Sequence, residues 1–114
     1  MRTIVAGSRD IQNYSVVCDA VGASGFEITT VISGEARGVD LLGERWGREH
    51  NVPVEGFPAD WKRHGKKAGV LRNIQMLENA DALIAIWDVK SKGTKHMIDV
   101  ATMKGLKVYV ACVD

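Results

Sequence analysis

A chain of 114 residues, 46% of them hydrophobic, has the length and apolar content of one domain with a real core, and a single domain over residues 1–114 is expected. Fifteen basic and 14 acidic residues leave a formal charge of +1, so there is no global field to hold nucleic acid or an anionic membrane, and any phosphate specificity must be local. The two cysteines, Cys18 and Cys112, lie in apolar runs without CxxC or Cys/His spacing, which disfavours a zinc site and fits a reduced, cytoplasmic protein.

The first strand-like run is Thr3-Ile4-Val5-Ala6, with no charged leader or cleavage site before it. It feeds Gly7-Ser8-Arg9-Asp10, where Gly7 permits a tight turn, Ser8 offers a hydroxyl and Arg9 a guanidinium suited to phosphate. A plain turn followed by a helix capped by Asp10 or Asn13 is the alternative. A helix over 13–23 follows.

The second strand, Thr30-Val31-Ile32, runs into Ser33-Gly34-Glu35-Ala36-Arg37-Gly38-Val39-Asp40 and then a helix over 38–50. Free backbone N–H groups at such a terminus form an anion site. The stretch is neither the GxxxxGK[ST] phosphate loop nor the full GxGxxG fingerprint, so an ordinary capping turn stays open. Asp40 falls in the first helical turn, where the dipole stabilises a carboxylate with or without a ligand. Val39, Leu42 and Trp46 share one helical face, and Trp46 is expected in the core.

The third strand is Val52-Pro53-Val54-Glu55, and the stretch Gly56 to Gly65 after it is the longest irregular connection, a lid or simply a loop. A helix over 66–79 carries Arg72 and Asn73, a cation and an amide near the return to the sheet, which a solvated face explains equally well. The fourth strand, Ala82-Leu83-Ile84-Ala85-Ile86-Trp87, reads as a buried parallel strand and ends in Trp87-Asp88. Trp87 is a candidate for ring stacking or a structural cap, and Asp88 for a ribose hydroxyl. Lys92, Gly93 and Thr94 open a helix over 93–104, a second candidate phosphate cradle, and Lys107-Val108-Tyr109-Val110-Ala111 is the fifth strand.

This alternation predicts an α/β fold: a Rossmann-like three-layer α/β/α sandwich on a mostly parallel five-stranded sheet, with ligands at its C-terminal edge. His50, His64 and His96 show no metal spacing, so no metal is assigned and no resident cofactor is expected. No apolar run approaches the roughly 20 residues of a membrane span.

Taken together, VAGSRD, SGEARGVD, AGVLRNIQML, DALIAIWD and SKGTKHMIDVA resemble the SLOG superfamily, specifically its YspA-related branch, over nearly the whole chain. The resemblance implies a Rossmann-like sandwich, a nucleotide or nucleotide-derived ligand and a homo-oligomer. By position it implies ligand-contacting turns at Gly7, Ser8 and Arg9, at Ser33, Gly34, Arg37, Gly38 and Asp40, and at Gly93 and Thr94, with Arg72 and Asn73 matching an RN signature. The related lonely-guy phosphoribohydrolases carry PGGxGTxxE, and here the stretch Val89 to Met97 keeps Gly93-Thr94 but has Met97 at the glutamate. Methionine cannot act as an acid or base, so that mechanism is not expected unchanged. The DprA-type relatives bind single-stranded DNA with extra surface and domains, which a near-neutral chain of this length lacks, so nucleic acid is disfavoured.

Three functions are in play. The leading expectation is a protein that binds, senses or sequesters a nucleotide or an NAD- or ADP-ribose-derived molecule. A hydrolase using Glu35, Asp40 or Asp88 as general base is the rival, and a structural or interaction subunit the third.

Overall fold

The computed structural model describes residues 1–113. Its elements in order are β1 (Arg2–Gly7), α1 (Tyr14–Ser24), β2 (Thr30–Ser33), α2 (Val39–Glu49), β3 (Val54–Gly56), a short α3 (Trp61–His64), a 3-10 turn (Gly65–Lys67), α4 (Ala68–Glu78), β4 (Ala82–Trp87), α5 (Lys92–Met103) and β5 (Lys107–Cys112). The strands form one sheet in the order β3-β2-β1-β4-β5, and every neighbouring pair is parallel. The expected mostly parallel sheet is thus wholly parallel among the described residues.

Side-chain alternation along the strands sorts the core onto two faces. Ile4, Ile32, Leu83 and Ala85 meet Met76 and Leu77 of α4 and Met97 and Ala101 of α5. Val5, Val31, Ile84 and Ile86 meet Val17, Ala20 and Val21 of α1 and Val39 of α2. Helices therefore cover both faces in three layers, the Rossmann-like arrangement. Glycines allow one of these approaches: a Cβ on Gly43 of α2 would stand 2.8 Å from Val5 Cβ, and one on Gly47 2.8 Å from Val54 Cγ2.

Two expectations shift at the third strand. Pairing begins at Val54 and not Val52, because Pro53 has no N–H to donate and contributes only its carbonyl, which accepts from Val31 N at 2.8 Å. The irregular stretch Gly56 to Gly65 contains α3, whose N-cap is Asp60 with its side chain accepting from Arg63 N at 3.0 Å. Of the two caps open for α1, Asn13 is the one used: its Oδ1 accepts from Ser15 N at 3.1 Å. Trp46 is half-buried at the edge of the core, stacked on His50 with ring centroids 4.4 Å apart.

No described helix is long and apolar enough to cross a membrane.

Candidate functional site

From β1 the chain winds outward through β2 and β3, then returns through α4 to place β4 on the other side of β1. The strand order reverses there, and ligands bind at the C-terminal edge beside such a reversal in sheets of this kind. A cleft of about 620 Å³ occupies that edge. Its walls are the loop after β1 (Gly7, Ser8, Arg9, Asp10), the start of α2 (Ala36, Arg37, Asp40), α4 (Gly69, Arg72, Asn73) and the β4–α5 turn (Asp88, Lys90, Ser91, Gly93, Thr94). Ala6, Met76 and Met97 supply apolar surface.

The glycines let these loops approach one another. A Cβ on Gly7 would collide with the Ile86 carbonyl of β4 and lie 2.9 Å from Val39 Cγ2. Gly38 has φ +79° and would meet Arg9 O at 2.5 Å and Ser8 O at 2.7 Å, so the start of α2 sits directly on the loop after β1. No side chain caps α2 at Gly38, and Asp40 of its first turn lines the cleft.

Several polar residues hold the loops together. Buried Ser8 accepts the Asp88 N–H on its Oγ at 3.2 Å, tying the loop after β1 to that after β4. Asp88 Oδ1 accepts the N–H groups of Lys90 and Ser91, both at 2.8 Å, and these bonds hold its carboxyl below the usual carboxylate range. That turn carries Val89 at φ 69°, an unfavourable conformation for a β-branched residue. Ser91 caps α5 through its Oγ, which accepts from Thr94 N at 3.3 Å and from Thr94 Oγ1 at 3.0 Å. Ser33 is fully buried, its Oγ donating to Glu44 Oε2 at 2.7 Å and accepting from Glu35 N at 3.0 Å.

Asp40 and Arg72 are the buried charges of the cleft, 6% and 9% exposed. Arg72 Nη1 donates to the Gly34 carbonyl, and its Nε donates to Asn73 Oδ1 at 2.8 Å. Asp40 Oδ2 accepts the Ala36 N–H at 3.3 Å. Burial pushes the Asp40 carboxyl up to about 6, against the opposing pull of the Ala36 hydrogen bond and the Arg72 charge. Arg9 and Arg37 are exposed at the rim, and Arg37 Nη2 lies 3.3 Å from Asp10 Oδ1.

The fold therefore gathers Gly7, Ser8, Arg9, Arg37, Asp40, Arg72, Asn73, Asp88, Gly93 and Thr94 around one cleft. Gly34 and Glu35 line an adjoining chamber of about 440 Å³ together with Arg9, Arg37 and Arg72. Ser33 and Gly38 stand beneath the cleft as supports and are not among its lining residues. Lys92 and Trp87 do not line it either: Lys92 is exposed at the start of α5, and Trp87 donates its Nε1–H to Ser91 O at 3.0 Å. That bond is the structural-cap alternative for Trp87. Lys66, Lys90 and the floor residues Met76 and Met97 are additional lining residues absent from the sequence-based set. Among the described residues no group of three or more His, Cys, Asp or Glu is arranged to hold a metal ion.

The chain is similar to the "Gene 61 protein" of Mycobacterium phage D29, at 38% identity over 117 aligned positions covering 94% of this chain and 93% of that protein. The family model described as YspA, cpYpsA-related SLOG family matches residues 1–64, which carry β1, the loop after it, β2 and the whole start of α2. The chain belongs to the YspA, cpYpsA-related SLOG family.

Proposed function

We propose that the protein binds a nucleotide or nucleotide-derived small molecule in the cleft between the β1, β2 and β4 loops. The observation that carries this reading is the meeting of guanidiniums from Arg9, Arg37 and Arg72 with the uncapped start of α2 at the switch point of a parallel sheet. Phosphate oxygens are matched there by backbone N–H groups, by the helix dipole and by bidentate donors. The floor of Ala6, Met76 and Met97 suits the apolar face of a sugar or base. Family membership points in the same nucleotide-related direction.

Hydrolysis is the second reading, and Asp40 is the observation behind it. A carboxyl pushed up to about 6 while lining a cleft is poised for proton transfer near neutral pH. Asp88 is less suited to that role, since two backbone N–H groups occupy one of its oxygens and hold it ionised. Glu35 faces the side chamber. Met97 offers no proton at the position where the lonely-guy motif has glutamate.

A thermal-shift screen against mononucleotides, cyclic nucleotides, NAD and ADP-ribose, with chromatography of each mixture after incubation, separates the readings. A shift with the compound intact supports binding, a shift with the compound consumed supports hydrolysis, and no shift with any compound contradicts both.

A further inference from the structure

We infer that residues 58–67 form a lid that closes over an anion bound in the cleft, with Lys62 and Arg63 supplying the closing charge. This rests on the proposed nucleotide-binding role and adds a conformational step to it.

The segment is anchored at its two ends and loose between them. Phe57, 9% exposed, belongs to the core under α4 and α5, and its N–H donates to Ser33 O at 2.8 Å. Ala68, 1% exposed, opens α4. Of the ten residues between these anchors none is buried and nine are exposed, so the stretch can move without disturbing the core. Its hydrogen bonds close on themselves: Asp60 Oδ1 accepts from Arg63 N, and Asp60 O accepts from His64 N, both at 3.0 Å. Trp61 rests against the start of α4, where a Cβ on Gly69 would stand 3.5 Å from its Cη2.

A hinge is present at Gly65. Its backbone, at φ 55° and ψ −130°, is open to glycine alone, yet a Cβ there would meet nothing within 4 Å. Glycine is therefore required by the rotation of the chain and not by the packing around it, as expected of a pivot at the end of α3.

The charge of the segment points to what closes it. Lys62, Arg63, Lys66 and Lys67 against Asp60 give residues 58–67 a formal +3, where the whole chain carries +1. None of these four cations forms an ion pair among the described residues. Lys66 already lines the main cleft, and Pro58, Ala59 and Trp61 line the side chamber, so the segment stands at the mouth of both cavities. An anion in the cleft gives the closed position an attraction that the open, hydrated position lacks, which is the differential interaction a lid requires.

The experiment is limited trypsin digestion of the purified chain, alone and with ADP, ADP-ribose or inorganic pyrophosphate at concentrations that calorimetry shows to be saturating. The free chain is expected to be nicked first after Lys62, Arg63, Lys66 or Lys67. A bound compound is expected to slow those cuts about tenfold or more, while cleavage after exposed Lys104, at the far end of α5, keeps its rate. In stopped-flow measurements the double variant Lys62→Gln, Arg63→Gln is expected to release the compound about five- to tenfold faster than wild type, with a smaller change in association. Unfolding midpoints confirm that this surface variant is folded. A compound that binds without slowing the cuts in residues 62–67, protection that extends equally to Lys104, or an unchanged release rate in the double variant overturns the lid and leaves nucleotide binding intact. Failure of all three compounds to bind wild type overturns the inference together with the reading on which it rests.

Discussion

Asp40 and Arg72 face one point above Gly34: a methyl group there would stand 2.7 Å from Asp40 Oδ2 and 2.8 Å from Arg72 Nη1. A buried carboxylate from α2 and a buried guanidinium from α4 thus close over the backbone that follows β2, and only a residue without a side chain leaves room for both. This contact links the start of α2 to the far side of the cleft.

Gly34→Ala forces one of those charges out of place. The expected cost is about 1–3 kcal/mol of stability, typical of overpacking, with a parallel loss of ligand affinity. Urea unfolding measures the first and calorimetry the second. An unchanged midpoint contradicts the packing described.

Asp40 gives stability a defined pH dependence. Its folded pKa of about 6 stands above the ordinary aspartate value of 3.8, so the proton is held more tightly in the folded state. The resulting stabilisation is fully present below about pH 3.8 and is lost as pH rises through about 6. Asp40→Asn has no proton to lose, so relative to wild type it gains on the order of 2–3 kcal/mol between pH 3.5 and pH 7. Urea unfolding across that range checks the sign. A difference between the two proteins that stays flat with pH removes the burial argument for Asp40.

Ser33 and Arg37, both in ligand-contacting turns of the resemblance, are expected to respond in opposite ways. Ser33→Ala leaves a half-buried Glu44 carboxylate oxygen and the Glu35 N–H without their partner, at a cost of about 1–3 kcal/mol in stability. Arg37→Ala removes only an exposed pair with Asp10, worth at most about 1 kcal/mol. Its effect is on binding, a loss of about 1.5–3 kcal/mol for a phosphate ligand. Denaturation and titration of both variants reveal whether stability and affinity separate in this way.

The architecture was legible because β4 and β5 read as continuous apolar runs, of which β4 is buried and β5 is a half-exposed edge strand, and because each helix begins at a polar or glycine turn. The cleft was legible where a motif sits at the end of a strand, as Gly7-Ser8-Arg9 and Ala36-Arg37 do. What sequence cannot show is where a side chain points at the end of an element. Trp87 reads equally as a stacking platform or a structural cap, and its indole N–H donates to Ser91 O, while the exposed indole beside the cavity belongs to Trp61. The signal for Trp61 was present in Asp60, an N-cap immediately before it, but Pro58 and the glycines around it made the segment read as loop. Arg72 was ambiguous for a similar reason: burial of one arginine on an amphipathic helix depends on the carbonyl that meets it, and Gly34 lies 38 residues away in sequence.

The most direct test of nucleotide binding at the switch point is an amide NMR titration of the isotopically labelled chain with the tightest ligand from the nucleotide screen. The account predicts the largest shifts at Gly7 to Arg9, Ala36 to Asp40 and Ser91 to Thr94, around the opening at the C-terminal edge. Shifts concentrated at the opposite edge, around Glu27, Asn79 and Gly105, or none at saturating ligand, would contradict it.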